Sequence, residues 1–393
     1  MSSPAAPQTR FSGVDAARGL ALFGMMAVHV LPETTSDGSA SWVPVIFAGK
    51  SAALFALLAG VSLAFTTRRA RSERGVYLTA ARWSVATRAV LVMAIGLTIA
   101  YVDMPAFIIL AYYGAMFALA VPLLGLSTRA LLLAAAGFAL LGPVLMEGLR
   151  DFLPPPGFDP TFTTLLTEPG VFASQLLLTG TYPALPWMAY ICAGLALGRL
   201  RLDRPAIQWM LLGSGTALAA GSWLASQLLL YGPSGGFTSL LASEPGLTSG
   251  ELQDMMLYGS ADYLPTSSWW WLALAAPHSS TPVDLLFTLG VAAAVIGAML
   301  LLARYAGKAL LLLSAPGRMT LTLYSTHLLF LGTGILADQP YVSFVLQCAV
   351  FIAFAVVIRR AERQGPLEKL VSDSARKVRD TVLRRSNRAV AQR

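Results

Sequence analysis

Arg18 and His29 stand eleven residues apart in the apolar run GVDAARGLALFGMMAVHV (13–30). At 100° per residue, eleven steps return to within about 20° of the starting direction, so a helix sets both side chains on one face. They would lie about 16 Å apart along its axis. Imidazole exchanges a proton near neutral pH, and guanidinium holds carboxylates and phosphates. A second histidine lies in GRMTLTLYSTHLLFL (317–331), where Thr320, Tyr324 and His327 share a face at helical spacing. Pro316 and Gly317 interrupt the apolar run just before it and mark where a functional helix starts. The chemistry offered is general-base catalysis by one or both histidines, with arginine as an anion clamp. Plainer readings stand beside it. Asp15 and Arg18 pair at i,i+3 while His29 closes the outer end of its helix, and His327 is a single histidine bonded to a carbonyl.

Ionisable residues inside apolar spans are costly and therefore functional candidates by default. Lys50 is one. Its surroundings, AGKSAALF, imitate a phosphate-binding loop, but that motif needs Gly at position 44, where Pro44 stands. Lys50 either snorkels to the outer surface or lines the site. In LLTGTYPALPWMAY (177–190), Pro183 and Pro186 break the backbone, which is tolerated at membrane depth where it lines a cavity. Tyr182 and Trp187 then wall a substrate pocket or anchor the chain at the interface. Arg68, Arg69, Arg71 and Arg74 are either anion donors or markers of topology. His278 is expected in a solvated outer loop. Cys192 and Cys348 read as small packing residues. No metal-ligand cluster, serine-hydrolase elbow or dinucleotide fingerprint stands out.

These residues need elements to carry them. Of 393 residues 56% are hydrophobic and 12% charged, with a mean hydropathy of +0.64. Soluble domains carry about 25% charge, so the composition excludes a soluble protein and predicts an all-α polytopic membrane bundle. Two cysteines exclude a disulfide scaffold. The formal charge of +8 comes without a basic face interleaved with aromatics, which excludes nucleic acid as a partner. Apolar runs predict ten spans, near 14–32, 43–66, 84–103, 105–125, 129–147, 182–199, 206–231, 282–303, 309–336 and 341–359. A further short helix is expected near 171–180, and SSWWWLALAAP (267–277) in the outer interface. The segments 148–181 and 232–281 read as loops.

With both termini cytoplasmic, 26 of the 28 basic residues fall on the inner side, Lys50 and Arg150 being the exceptions. That is the bias of the positive-inside rule. The alternative of a cleaved signal peptide over residues 1–40 would put the mature ends on opposite sides. A high Arg share, 24 of 28, points to a high-GC bacterial genome, and the expected location is the bacterial plasma membrane. Residues 1–359 form the membrane domain. The basic tail 360–393 is expected as a cytoplasmic amphipathic helix on the inner surface, held by Arg against anionic lipid.

The segments GVDAARGLALFGMMAVH (13–29), LFALLAGVSLAF (54–65), LLTGTYPALPWMAYICAGLALGRL (177–200) and GRMTLTLYSTHLL (317–329) resemble the transmembrane acyltransferase superfamily. It includes the heparan-alpha-glucosaminide N-acetyltransferase, YeiB-like and acyltransferase-3 families. Arg18 followed eleven residues later by His29 is similar to the acyltransferase-3 signature, which implies His29 as the catalytic base. The overall look is closer to the heparan and YeiB-like branch. That branch often has Asn at the position of His29 and a catalytic His in the following outer loop. Here residues 33–42 hold Glu33, Asp37 and Trp42 and no His.

The resemblance implies acyl transfer, acetyl first, from cytoplasmic acetyl-CoA or another acyl-CoA to a hydroxyl or amine of an extracytoplasmic glycan or lipid-linked acceptor, with no metal. Arg18, Arg68 and Arg69 would hold the CoA phosphates. His29 and His327 would carry the chemistry. Asp15, Lys50, Tyr182, Trp187 and Tyr324 would line the substrate pocket. Membrane lipids are the other expected partners, and a homodimer is an allowed assembly. The rival reading is a proton-coupled transporter or lipid flippase with His29 and His327 in the relay. A membrane glycosyltransferase, which would want acidic residues in a large first outer loop, fits less well.

Overall fold

The long apolar runs of the sequence become helices because a backbone in hydrocarbon must satisfy its own N–H and C=O groups. The computed structural model describes residues 11–260 and 264–391; Arg10 and Arg393, counted above among the inner charges, lie outside them. Eleven helices carry the argument: α1 (Ser12–Val30), α2 (Lys50–Thr66), α3 (Gly75–Ile99), α4 (Leu110–Leu123), α5 (Thr128–Leu149), α6 (Ala184–Leu197), α7 (Pro205–Tyr231), α8 (Pro282–Tyr305), α9 (Thr320–Leu331), α10 (Pro340–Arg360) and α11 (Pro366–Ala391). Among the described residues, pairing of the β type is confined to an isolated bridge between Thr34 and Ala40.

Among the described residues six helical stretches are long and apolar enough to cross a membrane: Ser12–Val30, Trp42–Thr66, Gly75–Ile99, Thr128–Phe152, Pro282–Tyr305 and Pro340–Arg360. The expected spans 105–125, 182–199 and 309–336 correspond to shorter apolar helices, α4, α6 and α9. The expected span 206–231 is α7, which is 27 residues long but carries Gln208, Ser214, Thr216, Ser222, Ser226 and Gln227. α3 begins nine residues before its expected start and so takes Arg82 into the helix as well.

The run 309–336 breaks before α9, where Pro316 and Gly317 predict it. Leu311–Ser314 and a 3-10 turn at Pro316–Arg318 precede α9, because Pro316 lacks the N–H a helix needs. Gly317 sits against the Asp15 carbonyl of α1, where no Cβ would fit. The expectation that segments 148–181 and 232–281 are loops is corrected. They contain the helices Phe162–Thr167, Pro169–Ser174, Gly236–Ser243 and Ser249–Tyr258 and the turn Trp269–Ala273. Thr248 and Glu251 form a reciprocal cap at the start of Ser249–Tyr258. Leu240, Leu252, Trp271 and Leu274 make a small separate core there. Trp269 is exposed while Trp271 is fully buried, so the Trp run faces two ways. The expected short helix near 171–180 is present as Pro169–Ser174, continued by a π-turn at Gln175–Thr179.

α7 and α8 pack along most of their length, and α6 lies between α2 and α5. α1 is wrapped by α2, α8, α10 and the broken segment 311–318, and twelve of its nineteen residues are buried. α11 lies along α3 and reaches α9, with Val371 and Ala375 buried on its packed side.

Candidate active site

His29 reaches the site from the last turn of α1, and His327 from the middle of α9. Their rings are parallel to within 7°, with centroids 5.4 Å apart, and His29 Nδ1 lies 3.2 Å from His327 Nε2. That centroid distance is the nitrogen–nitrogen distance plus two ring radii, so the imidazoles meet edge to edge in one plane. His327 Nδ1 meets Gln347 Oε1 of α10 at 2.7 Å, and Gln347 Nε2 donates to Ser343 Oγ at 3.1 Å. His327 is fully buried, while His29 keeps part of its surface. Tyr324, one turn before His327, is buried with its ring centroid 6.3 Å from that of His29. The two histidines of the sequence analysis therefore share one site, and Tyr324 adjoins it.

An aromatic wall adjoins the site. Tyr182 packs edge-on against Trp187 at 5.2 Å, His278 at 5.4 Å and Tyr112 at 5.6 Å between centroids. Trp187 Nε1 donates to Ser280 Oγ at 2.9 Å, so Tyr182 and Trp187 are interior residues rather than interfacial anchors. His278 is not the solvated residue expected. Its backbone is left-handed, at φ 60°, as is that of Ser280 at 53°, and its Nδ1 is buried. The segment packs against Gly49, whose own backbone is left-handed, at φ 70°. His278 lies within electrostatic reach of His29, which gathers all three histidines of the chain. Burial, with the Lys50 charge adding to it, holds the His278 imidazole down at about 4.

Lys50 opens α2 and faces inward. Its ammonium donates to the Ala48 carbonyl at 3.4 Å, lies 5.8 Å from the centroid of the Phe287 ring and is within electrostatic reach of Asp284. Asp284 Oδ2 accepts from the Ser280 N–H at 3.2 Å, which ties the His278 segment to the start of α8. Asp159 approaches from the segment 153–161. Its carboxylate accepts from the Ile108 N–H at 3.0 Å and is in electrostatic reach of Tyr182 and Tyr324. Burial pushes that carboxyl up to about 7 despite this bond.

Towards the other end of α1, Arg18 donates to Asp15 Oδ1 at 2.8 Å and to Ser62 Oγ of α2 at 2.7 Å. Asp15 is thus spent on orienting Arg18 rather than placed beside His29. Arg69 pairs with Glu73 at 2.8 Å and lies over the Tyr77 ring, and its neighbour Arg68 starts the same short helix, Arg68–Glu73. Beside them Arg71, Arg74 and Arg199 line a cleft of about 210 Å³ with Ser127 and Thr128. Ser127 Oγ caps α5 by accepting from the Ala130 N–H, so the cleft opens onto a helix N-terminus, where anions are favoured.

Gln347, His278, Asp284, Asp159 and Arg199 were not legible as site residues. Two of them left a signal: Gln347 as one amide in the apolar run PYVSFVLQCAVFIAF, and Asp284 as a carboxylate inside the expected span 282–303. Among the described residues no group of three His, Cys, Asp or Glu forms a metal site. A family model described as heparan-alpha-glucosaminide N-acetyltransferase, catalytic, matches residues 10–231, more than half of the chain. No curated protein matches it.

Proposed function

We propose, on the premise that the chain belongs to the heparan-alpha-glucosaminide N-acetyltransferase catalytic family, that it transfers an acyl group across the membrane. The donor is acyl-CoA, acetyl-CoA first, bound from the cytoplasmic side. The acceptor is a hydroxyl or amine of a glycan or lipid-linked molecule on the far side. The observation that carries this reading is the edge-to-edge contact of His29 and His327 at 3.2 Å.

His29 acts as the general base. Its Nε2 takes the proton of the acceptor N–H or O–H as that atom bonds to the thioester carbonyl carbon. The carbon–sulfur bond then breaks, and the CoA thiolate receives the proton from His29. A positioned base contributes about 10²–10⁴-fold to such a step. Tyr182, Trp187 and Tyr324 wall the acceptor side, with Lys50 at its rim.

The phosphates of CoA belong at the inner end. Arg18 stands about 16 Å below His29 on the same helix; Arg71, Arg74 and Arg199 line the cleft at α5, and Arg68 and Arg69 belong to the short helix beside it. Planar guanidinium groups and a helix N-terminus suit phosphate oxygens. The charge distribution supports this orientation, with both termini cytoplasmic, in a bacterial plasma membrane and ten spans in all. The tail helix α11 then lies on the inner side, its arginines towards anionic lipid.

The test is transfer of radiolabelled acetyl from acetyl-CoA by the purified protein to amino sugars, neutral glycans and glycolipids. Labelled product that forms only with acceptor present supports the reading. Binding of CoA with no transfer to any acceptor class, together with proton-coupled uptake into vesicles, would instead favour the transporter.

A further inference from the structure

α10 lies outside residues 10–231, which the family model matches, yet it supplies the innermost member of the histidine chain. Gln347 is 4% exposed and His327 0%. With Nε2 of Gln347 donating to Ser343, the amide oxygen faces His327 and accepts, which places the His327 hydrogen at Nδ1. A neutral imidazole carries one N–H, which leaves His327 Nε2 as an acceptor. His29 Nδ1, 3.2 Å away, must then donate. The lone pair of His29 is left on Nε2, on the ring that keeps accessible surface.

We propose that Gln347, held by Ser343, is a positioning residue that sets the tautomers of both imidazoles and so presents the Nε2 lone pair of His29 to the acceptor. The proposal rests on the reading of His29 as base. The proton order is all or none. If His327 carried its hydrogen on Nε2, His29 Nδ1 would have to accept, and the hydrogen of His29 would occupy Nε2, where the acceptor proton must go. Ser343 and Gln347 stand at i,i+4 on α10, the spacing at which side chains meet. A buried amide whose partners are all in place fixes a geometry that a half-satisfied one would not. When His29 becomes imidazolium, its Nδ1–H stays bonded to His327, whose ring is held by the same amide. This is the arrangement by which a buried acceptor orients a catalytic histidine in the serine-protease triad.

The test is ¹⁵N NMR of the purified full-length protein labelled at histidine, read beside CoA release from acetyl-CoA with D-glucosamine as acceptor. The chain has three histidines, and His278→Gln assigns the third. In the parent, His29 and His327 should both show the Nδ1–H tautomer. Gln347→Leu should move both resonances towards the Nε2–H form and lower kcat by about 10²-fold or more, as tautomer loss does in related geometry, with little change in KM for acetyl-CoA. Gln347→Glu keeps an acceptor facing His327 Nδ1 and should keep both the tautomers and most of kcat. If Gln347→Leu does not fold, Ser343→Ala, which only loosens the amide, should shift the same resonances part of the way. Unchanged tautomers in Gln347→Leu, or changed tautomers with undiminished turnover, would overturn the proposal. Loss of the base reading itself shows differently: His29→Ala would then turn over normally, whatever the tautomers are.

Discussion

Glu368 caps Thr322 across 46 residues of sequence, binding the first turn of α9 through its hydroxyl at 2.6 Å and its N–H at 3.1 Å. The same carboxylate accepts the Leu321 N–H at 2.6 Å. α9 has no side-chain cap of its own, since Met319 stands at that position. The charged tail helix thus completes the helix that carries His327, and a carboxylate at a helix N-terminus also meets its dipole favourably.

Glu368→Ala should therefore cost about 0.5–2 kcal/mol, the usual range for a lost cap, and should lower Tm in detergent. Glu368→Gln, which keeps one acceptor oxygen, should lose less. An alanine variant that melts with the parent would show that the tail only rests against α9.

Asp159 gives a pH signature. Burial raises its carboxyl from 3.8 to about 7, so the folded chain binds a proton there that the unfolded chain has released. Its contribution to stability is full below the unfolded value and is lost as pH rises through about 7. Asn cannot ionise but keeps an oxygen for the Ile108 N–H. Asp159→Asn should therefore melt with the parent near pH 4 and above it near pH 8. A variant less stable than the parent at the higher pH would contradict the burial of this carboxyl.

The arginine cleft predicts a graded loss of cofactor affinity. Arg71→Gln, Arg74→Gln and Arg199→Gln should each weaken CoA binding by about tenfold, as expected for one charge-assisted hydrogen bond. Arg68→Gln with Arg69→Gln should weaken it less, because Arg69 already serves Glu73. Calorimetry at two salt concentrations checks this, since exposed charges are screened. Equal affinity in all variants would return the arginines to setting topology alone.

The sequence shows the helices wherever an apolar run is long, and it shows the face shared by Arg18 and His29 and the break at Pro316 and Gly317. It does not show that His29 and His327 touch. Periodicity sets depth and face within one helix, while the contact depends on how α1 and α9 pack through the broken segment between α8 and α9. Gln347 stays hidden because one amide in a membrane helix fits many helix–helix contacts equally well. His278 depends on left-handed backbone at its own position and at Gly49, which composition does not reveal. The short helices between 148 and 181 and between 232 and 281 run six to ten residues, too few turns for a period to stand out among Gly, Pro, Ser and Thr.

The central claim is that His29 is the base of an acyl transfer, and His29→Ala tests it most directly when CoA binding and acetyl transfer are measured on the same preparation. The variant should bind CoA as the parent does, since the arginine cleft lies at the far end of α1. Transfer from acetyl-CoA should fall by about 10²–10⁴-fold. A His29→Ala protein that binds CoA and transfers acetyl at the parent rate would contradict the account.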